Sequence, residues 1–367
     1  MKPTVIDLFC GVGGFSLGAA RAGFNVIASI DNNNEALWAH EMNFPNARHI
    51  NADIRLLVSK DIVDPSKNID GLIGGPPCQG FSSIGKNNAS DPRNALFGHF
   101  FRIASALQPK FFIAENVPGI LNEKNDSIRK RAFAYVENHY TMFPPMVLSA
   151  CDFGAATMRK RAFFIGIRKD VKHTFNPLVL TSYKTTNLAY VQDALRGLPQ
   201  KIRSTWQTEE DGWRKISTLF NSNLGNNIFH RIPRGVGNIS AIKRLHNSLE
   251  VSGCLGTIHS EKVLERISRL SPGEIDSISR APRLNPIGFC PTLRAGTGKD
   301  HGSFQAVRPF HPFENRVITP REAARLQGFP DWYIFSPTKW QSFRQIGNSV
   351  SPILAEAVIR KLSKTLI

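Results

Sequence analysis

The sequence predicts an α/β fold: a doubly wound, mostly parallel sheet accompanied by a second, smaller and loop-rich domain. Three observations predict it. Over about the first 170 residues, short apolar runs alternate with stretches of helical spacing, the pattern of parallel strands joined by crossover helices. A glycine-rich turn, Gly11 to Gly14, follows the first apolar run. After Asp170 the regular patterning lapses, and it returns near Ile318.

The elements follow in order. TVIDLF is a short apolar strand, ended by Gly11, Gly13 and Gly14, and a helix is expected from Ser16 to Ala22. NVIASID is a second strand, and NNEALWAHEMNF has helical spacing. HINADI and IDGLIGG are the third and fourth strands. FGHFFRIASALQP is a helix that ends before Pro109, since the residue ahead of a proline leaves the helical region. KFFIAENV is a fifth strand whose continuous apolar run implies burial on both faces. SIRKRAFAYVENH is another helix and RAFFIGIRK another strand. From Lys172 to Leu293 apolar runs are short, and the helix SEKVLERISRL stands out inside that region. TPREAARLQGF is a helix with Pro320 in its first turn, and SPILAEAVIRKLSK is an amphipathic helix that closes the chain.

The 367 residues are enough for one large domain or two unequal ones. Lys and Arg number 46 against 29 acids, a formal charge of +17, which favours a polyanionic partner, nucleic acid first and anionic membrane second. Five scattered cysteines with no CxxC spacing suggest neither a zinc site nor a disulfide framework, and fit a reducing compartment. No signal peptide or transmembrane run is read, so the expectation is a cytoplasmic protein without a membrane or metal partner.

The motifs carry the chemistry. In DLFCGVGGFSLG, glycines between a strand and a helix let backbone approach a ligand, and the helix start offers free N–H groups. Gly11 and Gly13 match the start of a dinucleotide fingerprint whose third slot is here Ser16. Asp31 ends the second strand, about 20 residues on, where an acid can bond ribose hydroxyls. Asp53 ends the third, where a carboxylate can accept from the exocyclic amine of adenine. A nucleoside ligand follows, either a nicotinamide cofactor or S-adenosyl-L-methionine.

Cys78 lies just past the end of the fourth strand, where open parallel sheets bind ligands, and Pro76 and Pro77 stiffen the backbone ahead of it. Glu115 ends the apolar fifth strand, a position for a semi-buried carboxyl of raised pKa. Arg159 and Arg161 alternate ahead of a strand and would share a face as donors to an anion or carbonyl oxygen. A thiol nucleophile, a carboxyl acid and two guanidinium donors near a nucleoside suit methylation of cytosine at carbon 5. Thiolate attack at carbon 6 makes carbon 5 enamine-like, a proton shared with ring nitrogen 3 assists, and donors at oxygen 2 absorb charge.

On these motifs the chain resembles the bacterial DNA (cytosine-5)-methyltransferases over nearly its whole length. DLFCGVGGFSLG is similar to the family's cofactor-binding motif, GGPPCQGFS to its nucleophile motif and ENV to its glutamate motif. RLQGFP with QIGNSVSP resembles the C-terminal segment that completes the cofactor pocket. The resemblance implies a Rossmann-like methyltransferase with Cys78 as nucleophile, Glu115 as acid, and Arg159 and Arg161 on the target cytosine. It implies an S-adenosyl-L-methionine pocket lined by Phe9, Gly11, Asp31, Asn32, Asp53, Ile54, Pro77, Leu96 and Asn348. Asn348 would pack beside the first strand, so the catalytic domain would comprise 1–175 and 315–367, with target recognition in 176–314. Two departures stand out. Thr157 occupies the glutamine position of the family's Gln-x-Arg-x-Arg motif, with Ala156 where a proline is usual, and Asp31 stands where many relatives have Glu.

A cytosine in duplex DNA is stacked and paired, so such an enzyme flips it into its pocket. GFSSIGKNN is a loop that would close over the flipped nucleotide, with Ser82, Ser83 and Lys86 on phosphates. In the loop-rich region, HRIPRGVGN pairs Arg231 and Arg234 with glycines that permit close approach to DNA, and the same region carries Arg203, Arg214, Lys215, Lys243 and Arg244, with Trp206, Trp213 and His230 among them. The expectation is a sequence-specific, monomeric enzyme acting on double-stranded DNA, part of a restriction–modification system with a cognate restriction endonuclease. The rivals are a tRNA methyltransferase of the same superfamily, whose Cys-Phe-Thr signature is not found, and a silent DNA-binding relative, which would be expected to lose Cys78.

Overall fold

The structure is a computed structural model that describes residues 2–64, 68–77, 95–210, 212–217, 228–295 and 308–367. Two compact units are present. The first comprises Met1–Ser149, Lys160–Lys184 and Leu354–Ile367, and the second Ala150–Arg159 and Thr185–Ile353. The C-terminal segment expected to rejoin the first domain from 315 therefore divides between them.

The first unit is built on an eight-stranded sheet. Its strands are β1 (Thr4–Leu8), β2 (Asn25–Asp31), β3 (Arg48–Asn51), β4 (Gly71–Gly74), β5 (Phe111–Asn116), β6 (Tyr140–Met142), β7 (Met146–Ser149) and β8 (Lys160–Arg168). Five are parallel in the order β3-β2-β1-β4-β5, so the chain starts in the middle and winds outward both ways. β8 then joins β5 antiparallel, and β6 and β7 both pair with β8, also antiparallel. The sequence reading missed β6 and β7. They are three and four residues long, and Phe143, Pro144 and Pro145 interrupt the apolar pattern between them.

Helices α1 (Gly14–Arg21), α2 (Asn34–Asn43), α3 (Ser59–Ile62), α4 (Ala95–Leu107) and α5 (Asp126–Phe133) belong to this unit. α5 ends six residues before the expected His139, and the turns that replace its last part bury Val136 and lead into β6, whose first residue, Tyr140, is also buried. Tyr140 donates to the Pro109 carbonyl at 2.8 Å, and burial pushes its phenol well above the ordinary value. All six β5 residues are buried, which accounts for the continuous apolar run. Phe97, Phe100 and Phe101 of α4 pack edge-on against Phe112 and Phe164 of the sheet. Gly166 on β8 faces Phe112, whose ring lies 2.3 Å from where a Cβ would stand, so only glycine fits that register.

After α6 (Leu178–Thr181) the chain enters the second unit, and it returns at Leu354, within α12 (Pro352–Ser363). Ala355 packs so closely on Gly18 of α1 that a Cβ there would lie 2.4 Å from the alanine methyl. The Thr174 N–H donates to Thr365 and the Ile367 N–H to Lys172, each at 2.9 Å, which ties the last residues to the first unit.

The second unit carries α7 (Val191–Leu195), α8 (Ile239–Ser248), α9 (Glu261–Arg269), α10 (Pro320–Gln327), α11 (Lys339–Asn348) and a two-residue ribbon, β9 (Arg214–Lys215) with β10 (Glu250–Val251). α10 starts where the sequence predicts. Thr319 Oγ1 accepts from the Glu322 N–H at 3.2 Å, Glu322 Oε2 accepts from the Thr319 N–H at 2.7 Å, and Pro320 fills the first turn. Buried arginines hold much of the rest. Arg321 donates to the carbonyls of Ser252, Pro330 and Tyr333, and Arg325 makes a two-bond ion pair with Asp331 at 2.7 Å. Among the described residues no helix is long and apolar enough to cross a membrane, and no group of His, Cys, Asp and Glu is arranged to hold a metal.

Candidate active site

The turn after β1 folds as its glycines require. Gly11 has φ +53° and Gly13 φ +92°, and Gly13 sits at the N-cap of α1. Phe9, with no such freedom, is also held at φ +60°, a costly conformation for an aromatic residue that marks a constrained site. The Cys10 N–H bonds the Ile30 carbonyl at 3.0 Å, which closes the turn against the end of β2. Asp31 then completes it. Its Oδ2 accepts from the Gly11 N–H and its Oδ1 from the Asn33 N–H, each at 2.8 Å. Burial pushes the Asp31 carboxyl above the ordinary carboxylate range, against the pull of these N–H groups.

A cleft opens beside this turn, at the carboxyl ends of β2, β3 and β4. Seven of the residues expected there line it: Phe9, Asp31, Asn32, Asp53, Ile54, Pro77 and Leu96. Gly11 and Gly13 are not among the lining residues; the Gly11 N–H donates to Asp31, which is, and Gly13 stands at the N-cap of α1. Asn348 closes α11 in the second unit. Ile30 and Ala52 line the cleft too and were not foreseen, although each directly precedes one of the two named acids. Asp53 is met by Arg55, whose Nε lies 2.8 Å from Oδ2, and the guanidinium holds its carboxyl below the ordinary range.

The ends of β4 and β5 meet as parallel neighbours must. Gly74 pairs with Ala114, and Asn116 Nδ2 donates to the Pro76 carbonyl at 3.2 Å. A Cβ on Gly75 would stand 3.2 Å from Glu115 Oε2. Glu115 is buried, and Arg161 Nε meets its Oε1 at 2.6 Å from the antiparallel strand β8. The carboxylate and guanidinium thus lie beside the Gly75–Pro77 turn that leads to position 78. Asn116, the middle residue of ENV, fastens that turn. Arg159 lies one residue ahead of β8 and belongs to the second unit, where it is buried and donates to the Leu293 carbonyl at 3.2 Å. Cys78, Ser82, Ser83 and Lys86 lie outside the described residues.

In the second unit, the segment His230 to Asn238 is pinned from beneath. His230 Nε2 lies 3.0 Å from Asp331 Oδ2, the Asp331 N–H donates to the Phe229 carbonyl, and Trp332 Nε1 donates to the Arg231 carbonyl. The Arg231 and Arg234 side chains are exposed. Arg214 lies 3.5 Å from the Trp206 ring centre and Arg244 4.2 Å from that of Trp213.

A family model described as C-5 cytosine-specific DNA methylase matches residues 3–364. The chain is 36% identical to the type II methyltransferase M.XorII of Xanthomonas oryzae pv. oryzae, across 100% of this chain and 85% of that protein. It is 34% identical to the type II methyltransferase M.DdeI of Desulfomicrobium norvegicum, across 98% and 88%. Among solved structures, it matches a chain from E. coli described as a candidate DNA modification methyltransferase encoded within a prophage. There the TM-score is 0.88 and the identity 47%, across 99% of both chains.

Proposed function

The chain belongs to the C-5 cytosine-specific DNA methylase family, and on that premise we propose how its own residues divide the work. The cleft at the ends of β2 to β4 holds S-adenosyl-L-methionine, which supplies an electrophilic methyl group when bound. Its features suit that ligand. Asp31 presents a carboxylate to ribose hydroxyls, Asp53 can accept from the adenine amine, and Ile30, Ile54, Leu96 and Phe9 offer apolar surface to a purine ring.

The observation that carries the reading is the Glu115–Arg161 ion pair at the end of β5, beside the turn that Asn116 fastens through the Pro76 carbonyl. Cys78 follows that turn in sequence, and its thiolate adds to carbon 6 of a flipped cytosine. Glu115 shares a proton with ring nitrogen 3, while Arg161 and Arg159 donate to oxygen 2 as charge develops there. After methylation, loss of the carbon-5 proton restores the double bond and expels the thiolate. Residues 1–175 and 315–367 form the catalytic part and 176–314 the target-recognition part. Arg231 and Arg234 face the DNA from their pinned segment, with Ser82, Ser83 and Lys86 on phosphates. The enzyme works as a cytoplasmic monomer, in a restriction–modification system with a cognate endonuclease.

Incubation of purified protein with labelled S-adenosyl-L-methionine tests the reading. Label should enter duplex DNA, and bisulfite sequencing should locate the modified cytosine. Cys78→Ala should abolish transfer while DNA binding persists. Full activity of that variant removes Cys78 from the mechanism, and label in tRNA alone redirects the substrate.

A further inference from the structure

Beneath the glycine turn runs a line of buried polar groups that the methylation chemistry does not use. Asp7, on β1, is fully buried. Its Oδ2 is 2.6 Å from Ser16 Oγ on α1. Ser16 Oγ is 3.0 Å from His40 Nε2 on α2, also fully buried. His40 Nδ1 is 2.8 Å from Nε2 of His49 on β3, which is half-buried. Four side chains from four elements thus make one unbroken hydrogen-bonded path from near the surface to a carboxyl in the sheet. Asp7 Oδ1 is buried with no hydrogen-bond partner among the described residues, an arrangement less costly for a neutral carboxyl than for a carboxylate.

The path has two self-consistent polarities, because the Ser16 hydroxyl carries one proton and each neutral imidazole one N–H. In the first, Asp7 is a carboxylate accepting from Ser16, Ser16 accepts from His40 Nε2–H, and His40 Nδ1 accepts from His49 Nε2–H. In the second, Asp7 is a carboxyl donating to Ser16, Ser16 donates to His40 Nε2, and His40 Nδ1–H donates to His49 Nε2. His49 then carries its proton on Nδ1. The two differ by one proton, taken up at His49 Nδ1 and delivered, by a shift along each bond, to Asp7. Neither histidine ends charged.

We propose that Asp7, Ser16, His40 and His49 form a proton relay that sets the charge beneath the methyl-donor cleft and so makes donor affinity proton-linked. This rests on the cleft being the S-adenosyl-L-methionine site. Asp31, which lines the cleft, is close enough for its charge to act on Asp7. A cationic sulfonium donor is held better over the carboxylate state, whereas the uncharged thioether left after transfer feels the change less. Burial, with the neighbouring Asp31 charge, pushes the Asp7 carboxyl up to about 7, against the hydrogen bond from Ser16, so both states are populated near neutrality. The other groups facing the path do not compete. Burial and the two acids push the Cys10 thiol well above its ordinary value, β4 carries no ionisable side chain, burial and the neighbouring His49 push His40 well below the ordinary imidazole range, and burial lowers His49 against the pull of Glu41.

Two measurements test the relay. In ligand-free protein, the 15N shifts of His40 should show an exchange of tautomer between pH 6 and 8 without formation of imidazolium. Calorimetry in buffers of different ionisation enthalpy should show proton release on donor binding, largest near pH 7. Donor affinity should rise by about fivefold from pH 6 to 8, and the thioether's clearly less. Asp7→Asn should pin the tautomer and flatten both profiles. His49→Gln, at the accessible end, should shift the pH of the exchange if Asp7→Asn folds poorly. A His40 that keeps one tautomer throughout overturns the relay, and equal pH dependence for donor and thioether overturns its coupling to the cleft. If the tautomer exchanges but the donor binds at no pH, the cleft assignment falls and with it the coupling.

Discussion

The two units are held by different means. The first is an apolar sandwich in which the parallel strands, α4 and a cluster of phenylalanines exclude water, crossed by one buried polar line through Asp7, Ser16 and His40. The second has few strands, and charge organises its interior. Arg283, Arg316, Arg321 and Arg325 are all buried, and they bind backbone carbonyls or pair with Glu322 and Asp331. A guanidinium has five donors in a rigid fork, enough to satisfy several loop carbonyls that no strand partner reaches. A region can therefore lack regular secondary structure and still be tightly specified.

The largest expected effects set this contrast against the chemistry. Glu115→Gln removes the carboxyl that meets Arg161, and turnover should fall by about 10²–10⁴-fold, with folding intact by circular dichroism. Near-normal turnover would take Glu115 out of its acid role.

Next come two stability losses of similar size and different origin. Phe101→Ala in the first unit and Arg325→Leu in the second should each cost about 3–5 kcal/mol in urea unfolding. The first leaves a cavity, and the second leaves Asp331 charged and buried. Removing Asp331 as well, in Arg325→Met with Asp331→Leu, should recover much of the second loss. Failure to recover would mean that the bonds from Arg325 to the Ala194 and Arg196 carbonyls matter more than its ion pair.

The same contrast explains what was legible in the sequence. Apolar periodicity marks strands and helices, so β1 to β5 and the cleft at their ends could be placed by position alone. Short β6 and β7 carry too few alternations to stand out beside two prolines. The second unit hid its order because an arginine that binds carbonyls inside looks, in sequence, like one that binds phosphate outside. The Glu115–Arg161 pair was half visible. Each residue was singled out, but only the antiparallel register of β8 on β5 makes them partners. The Asp7 relay was not visible, since its four members are scattered over four elements and join only through packing.

The units should also differ in how pH acts on them. The folded Asp7 carboxyl titrates near 7, above its unfolded value, so its contribution is full below about pH 4 and is lost as pH rises through 7. Asp276 behaves oppositely. Hydrogen bonds from Arg266 and Ser279 outweigh desolvation and bring it down to about 2, so its contribution is present above about pH 4 and lost on acidification towards 2. Hydrogen exchange followed by unit should show amide protection in the first unit declining from pH 5 to 8 after correction for intrinsic rates, and protection in the second declining first in acid. Parallel profiles would break the contrast.

The smallest effects separate structural arginines from those offered to DNA. Arg214 spends its guanidinium on the face of Trp206, so Arg214→Ala should cost about 0.5–2 kcal/mol of stability. Arg234 is exposed on a segment already pinned by Asp331 and Trp332. Arg234→Ala should leave stability unchanged and weaken DNA binding. A uniform loss across sequences, with the salt slope reduced by about one, identifies a phosphate contact. A loss confined to one base position of the target, of about 1–3 kcal/mol, identifies base readout. If Arg234→Ala lowers the unfolding midpoint and leaves DNA affinity unchanged, Arg234 belongs with the buried arginines as scaffold, and the recognition surface lies elsewhere in the second unit.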